Sequence, residues 1–152
     1  MIKALMSVAL LLAAAVVAPV LGQESDVPST IAAAFAQKYP KADDVAWEEL
    51  DDSFIASFLN GDYYCDAHFD KAGNWMETST IIDEADLPKA VAASVKGKYP
   101  NLDYFTSIVQ SDRPEGLLYY LGFEKGYDYI TLTVDNKGMI LDEQVESFDG
   151  ND

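Results

Sequence analysis

The chain has 152 residues, with 26 acidic side chains against 10 basic ones, a formal net charge of −16, and apolar residues making up 49% of it. That charge repels phosphate backbones and anionic lipid, which excludes nucleic acid and membrane surfaces as partners, while the apolar share is enough to fill a core. Cys65 is the single cysteine, so no intrachain disulfide can form and packing alone must hold the fold.

The first predicted element is a leader. Lys3 is followed by a run of small and apolar residues from Ala4 to Leu21, then Gly22, Gln23 and Glu24. This is the pattern of a secretory signal peptide, with Val20 and Gly22 at the two small-residue positions, and it predicts cleavage after Gly22. The run is also about long enough to span a bilayer, so a retained anchor is the competing reading. No later stretch is apolar enough to cross a membrane. Loss of residues 1–22 removes Lys3 and leaves a net charge of −17 on residues 23–152, a length that suits one compact domain. Export predicts a periplasmic or secreted protein. Solubility explains the acidity, and the sharper explanations are a sink for cations or a basic partner.

Residues 26–40 read as a helix. Asp26 is a suitable N-cap, Pro28 is tolerated in the first turn, and Val27, Ile31, Ala34, Phe35 and Tyr39 form one apolar stripe up to the stop at Pro40. Four strands follow at about 45–50, 54–59, 62–69 and 75–82. Asp51-Asp52-Ser53, Asn60-Gly61 and Asp70-Lys71-Ala72-Gly73 supply the turns between them. The order then repeats. Asp86 to Pro100 matches Asp26 to Pro40 at seven of fifteen positions without a gap, and Leu87, Val91, Val95 and Tyr99 make the second stripe. Strands are predicted at about 103–111, 117–124, 127–134 and 139–146. The turn Asp135-Asn136-Lys137-Gly138 matches Asp70 to Gly73 at an offset of 65 instead of 60, which places extra residues around Asp112 to Gly116 as a longer first hairpin loop. The chain is therefore two α-β-β-β-β repeats, about 26–82 and 86–146. The fold class is α+β, with two helices packed on one face of a largely antiparallel eight-stranded sheet.

These elements resemble the PepSY-like, β-lactamase-inhibitor-like family of exported bacterial proteins. The resemblance is carried by Lys38-Tyr39-Pro40, Val45-Ala46-Trp47-Glu48, Ala56-Ser57-Phe58, Ala67 to Trp75, Glu77-Thr78 and Asp86-Leu87-Pro88, and covers nearly all of 26–146. It implies tandem units sharing one continuous sheet. It carries no catalytic motif onto these positions.

The residues themselves offer little chemistry. Cys65 and His68 are three apart in a strand, so they point to opposite faces and cannot form a nucleophile pair or share a metal. Cys65 falls on the core parity and reads as a small buried apolar residue. His68 reads as a surface residue. Asp70 to Gly73 and Asp135 to Gly138 lack the acidic ligands and distal glutamate of a calcium loop, and turn chemistry accounts for both. Asp43-Asp44 and Asp51-Asp52 fall in predicted turns with no partner base. No catalytic residue, cofactor site or metal site is expected, and the chain is not read as an enzyme.

Strand alternation puts Phe54, Ala56, Phe58, Cys65, Ala67 and Phe69 in the core, with Tyr119, Leu121, Phe123, Ile130, Leu132 and Val134 as their counterparts. Ile55, Ser57, Leu59, Tyr64, Asp66 and His68 then face the other way, with Leu118, Tyr120, Tyr129, Thr131 and Thr133. Two helices leave that face uncovered, and its tyrosines and aliphatics have interface composition. The sequence therefore reads as an exported, non-catalytic binding module, inhibitor-like in action. Ile55, Leu59, Tyr64, Leu118, Tyr120 and Tyr129 are its expected contacts with a protein or peptide, and the module itself is a monomer or weak dimer. The alternative is an acidic divalent-cation-binding or stress-buffering protein.

Overall fold

In the computed structural model, residues 27–148 are described. The predicted leader 1–22 and the predicted cap Asp26 lie outside them. Helix α1 (Ser29–Lys38) is followed by β1 (Asp43–Glu49), β2 (Ser53–Asn60), β3 (Tyr63–Asp70) and β4 (Trp75–Ile81). After a short 3-10 turn at Glu84–Asp86 come α2 (Lys89–Lys98), β5 (Ser107–Arg113), β6 (Gly116–Lys125), β7 (Asp128–Asp135) and β8 (Ile140–Ser147). The strands form one sheet in chain order, β1 to β8, and each pairs antiparallel with the next. Both helices cover the same face, so the predicted α+β architecture is the observed one.

Each helix buries its own core. Ile31 and Phe35 of α1 pack with Phe54, Ala56, Phe58, Cys65, Ala67 and Phe69. The Phe35 ring stands edge-on to Phe58 and Trp47, with centroids 5.0 and 5.2 Å apart. Val91 and Val95 of α2 pack with Ile108, Tyr119, Leu121, Phe123, Ile130, Leu132 and Val134. Every core residue assigned from strand alternation is buried.

Both helices start later than expected. Pro28 and Pro88 are extended, with ψ of 135° and 139°, so they occupy the cap position instead of the first turn. The Pro28 carbonyl accepts hydrogen bonds from Ile31 N and Ala32 N at 2.9 and 3.1 Å. Asp86 is consequently no cap: it ends the 3-10 turn, and its carboxylate accepts the Tyr63 hydroxyl at 3.0 Å. Asp43 and Asp44 are also not in a turn. They open β1 at a register shift, where Asp44 adopts a φ of 51°.

The extra residues of the second repeat make strand instead of loop. Glu49 pairs with Phe54, and Gln110 pairs with Tyr119, so the second hairpin is longer between equivalent positions. The added residues extend β5 and β6 to a tight turn, where Arg113 pairs with Gly116. The same extension pairs with β4 through Thr78–Asp112 and Ser79–Ser111, which joins the two repeats into one sheet. Among the described residues the outer edges of β1 and β8 have no strand partner.

The β3–β4 and β7–β8 turns repeat one another. Asp70 Oδ1 accepts Ala72 N and Asn74 N at 2.9 and 2.8 Å, and Asp135 Oδ1 accepts Lys137 N and Met139 N at 2.9 and 2.8 Å. Hydrogen bonding to Asn74 and the turn N–H groups lowers the pKa of the Asp70 carboxyl. Gly138 closes its turn at φ 87° directly beneath the Ala90 carbonyl of α2, with no room for a Cβ. Gly138→Ala should therefore force α2 off its turn and cost about 1–3 kcal/mol, and Phe58→Ala about 3–5 kcal/mol, both read from urea unfolding.

Candidate partner-binding face

The face of the sheet away from the helices carries all six residues expected there. Strand pairing fixes their rows. Leu59 pairs with Tyr64, Ile81 with Val109, and Val109 with Tyr120. The pairing of Cys65 with Thr80 sets Tyr64 opposite Ile81, and these two line one surface depression. Leu59, Tyr64, Ile81, Val109 and Tyr120 thus form an unbroken apolar row over β2 to β6, about 19 Å long at the usual strand spacing. Its centre is the most open part, with Tyr64 46% and Ile81 57% exposed.

Ile81 and Val109 were not among the expected contacts. Trp75 pairs with Phe69 on the helix side, yet Glu77 pairs with His68 on the open side, because β4 carries an extra residue between them. Alternation counted from Trp75 would therefore put Ile81 on the wrong face. Helix α2 intervenes between β4 and β5, so no turn sets the register of Val109 against Ile81.

The other expected residues lie apart from the row. Ile55 sits nearer the opposite end of β2, between Glu48 and His68, and Leu118 stands between Ser111 and Asp135. Tyr129 has a different duty. Its hydroxyl occupies the space that a side chain at Gly122 would fill, and Thr106 Oγ1 donates to it at 3.1 Å, with Ser107 Oγ at 3.2 Å. It covers a bare patch of backbone, as an aromatic beside a strand glycine can.

A polar network braces the face beside the row. Arg113 Nη2 lies 2.9 Å from Glu77 Oε2 and donates to the Tyr120 hydroxyl at 2.7 Å, while its Nε donates to Ser111 Oγ at 2.9 Å. Ser57 Oγ donates to Asp66 Oδ1 at 2.6 Å. Arg113 belongs to the strand extension that distinguishes the second repeat, so the added residues hold Tyr120 in place.

Cys65 and His68 lie on opposite faces, as alternation requires. Burial pushes the Cys65 thiol pKa up, only partly offset by Thr80 Oγ1 at 3.4 Å, so little thiolate forms at neutral pH. Among the described residues no three His, Cys, Asp or Glu side chains converge as a metal site would require. No described helix is long and apolar enough to cross a membrane.

Residues 52–142 match the family model described as "Putative beta-lactamase-inhibitor-like, PepSY-like". Among solved structures, a BLIP-like protein of Bacteroides fragilis superposes with a TM-score of 0.72 at 23% identity, covering 85% of this chain and 94% of that one. A protein of Bacteroides eggerthii, described as belonging to "putative periplasmic proteins", superposes with a TM-score of 0.71 at 18% identity, over 78% of this chain and 88% of its own. A Bacteroides uniformis protein gives 0.72 at 19% identity, over 78% and 89%. At these identities the likeness is one of fold. No curated protein is a recognisable sequence relative.

Two outcomes follow from the geometry. Gly122→Ala should expel the Tyr129 ring and lower stability by about 1–3 kcal/mol, and adding Tyr129→Ala should recover part of that loss in the same unfolding assay. Cys65 should react with a colorimetric disulfide reagent far more slowly in the native protein than in urea.

Proposed function

The chain belongs to the β-lactamase-inhibitor-like, PepSY-like family, and from that premise we propose that it is an exported binding module without catalysis, which seats a protein or peptide on the open face of its sheet. The observation that carries the reading is the apolar row of Leu59, Tyr64, Ile81, Val109 and Tyr120, most exposed at its centre. Isolated apolar residues on a solvated face need no explanation, but an unbroken row across five strands is a surface for docking. Inhibition, in this reading, is physical: aromatic and aliphatic side chains fill a partner's cleft and exclude its substrate. Export rests on the expected cleavage after Gly22, and the periplasmic description of the Bacteroides eggerthii protein supports it. Residues 23–152 then form the mature domain of two repeats.

The divalent-cation reading has less support. Asp70 and Asp135 spend their carboxylates on their own turns, and the remaining acids are spread along the strands.

Tyr64→Ala combined with Ile81→Ala removes the open centre of the row without touching either core. Immobilised wild-type protein should retain a partner from the envelope fraction of the source organism that the double variant loses, with unfolding midpoints unchanged. Equal retention would refute the face. A matched pair of helix-side changes, Lys89→Ala with Lys96→Ala, should leave retention intact.

A further inference from the structure

We propose that the occupant of this face is a cationic, amphipathic segment of another protein, its apolar side chains on the row and its Lys or Arg side chains at the two ends. The inference rests on the open face being the binding face and adds the chemistry of the partner.

The cationic side chains are gathered on the helix side of the sheet, while acids stand on both sides. Lys38 lies on α1, and Lys89, Lys96 and Lys98 lie on α2. Lys71 pairs with Glu49, whose strand partner is the core residue Phe54, and Lys125 reaches the ring of Tyr99 behind the sheet. Lys41 follows α1, and Lys137 sits in the β7–β8 turn. Among the described strand residues, the open face therefore carries one guanidinium, Arg113, and Glu77 neutralises it.

The acids of the open face have no lysine beside them on that face. The register continues the apolar row to Asp43, which pairs with Leu59 at one end. At the other end Tyr120 pairs with Thr133, and Thr133 with Asp142. Glu48, Asp66 and Glu146 share the same face. An apolar band with a carboxylate at each end fits a segment patterned cation, apolar, cation. Six extended residues span about 20 Å, close to the length of the band. A second copy of this chain fits worse, since face-to-face pairing would set acidic ends on acidic ends between two molecules that each carry −16.

The test uses amide NMR of the isotope-labelled protein and three synthetic peptides. The first is Lys-Lys-Leu-Ser-Leu-Ser-Leu-Lys-Lys; the second replaces every Lys by Glu, and the third replaces every Leu by Ser. The first peptide should shift the amides of Leu59, Tyr64, Ile81, Val109 and Tyr120 and bind more weakly as salt rises. Asp43→Asn with Asp142→Asn should weaken it about 3- to 10-fold. Equal binding of the Glu peptide, or no binding by any peptide, overturns the cationic segment while leaving the face itself standing. Equal binding by the Ser peptide overturns the amphipathic requirement, because charge alone would suffice. Shifts confined to the helix side overturn both readings. Shifts along the row that grow with protein concentration and no peptide identify a second copy as the occupant, and overturn the proposal.

Discussion

Everything in this molecule depends on two helices of ten residues having to bury one side of an eight-stranded sheet. A ten-residue helix is only about 15 Å long, so each can seal little more than the strands of its own repeat. The cores are accordingly two: an aromatic one around Phe35, Phe58 and Phe69, and a largely aliphatic one around Val91, Leu121 and Leu132. With both helices spent on the same side, the other side must either be polar or be used. It is part polar and part apolar, with the apolar row braced by ionic and hydroxyl contacts around Arg113.

The join between the repeats is what turns two small faces into one. Leu59 and Tyr64 belong to the first repeat and Val109 and Tyr120 to the second, and only the β4–β5 pairing sets Ile81 beside Val109. The strand extension that lengthens this join also carries the arginine that fixes Tyr120. A length difference between otherwise matching repeats is thus where the second half acquires its particular role. The contact is held by backbone pairing and by Glu77–Arg113, while the hydrophobic clusters stay separate on the far side.

Much of this was legible in the residues. The duplicated helix stripes and the strict alternation in β2, β3, β6 and β7 placed the core positions of those strands correctly, because strand side chains have a fixed period of two and the turns Asn60-Gly61 and Asp70 to Gly73 pin the register, while Ile108 of β5 went unassigned. The limits were equally physical. The extra residue in β4 shifts the period by one and hides Ile81, and the long passage through α2 leaves the register of β5 against β4 unmarked. The extended prolines took the cap position that the preceding aspartates seemed made for. Tyr129 shared a face with Tyr120, and no pattern in the sequence revealed that it lies down to shelter Gly122.

The unpaired rims of the sheet give the tandem arrangement one more meaning. A repeat standing alone would expose the backbone of its first and last strands, and unpaired rims recruit other chains into aggregates. Fusing two repeats side by side hides one rim of each against the other, so among the described residues the double-width sheet still has two, on β1 and β8. Both are guarded by carboxylates, Asp43, Asp44, Glu48 and Glu49 on one and Asp142, Glu143 and Glu146 on the other. The tandem arrangement thereby doubles the area of open sheet at no increase in the length of sticky border.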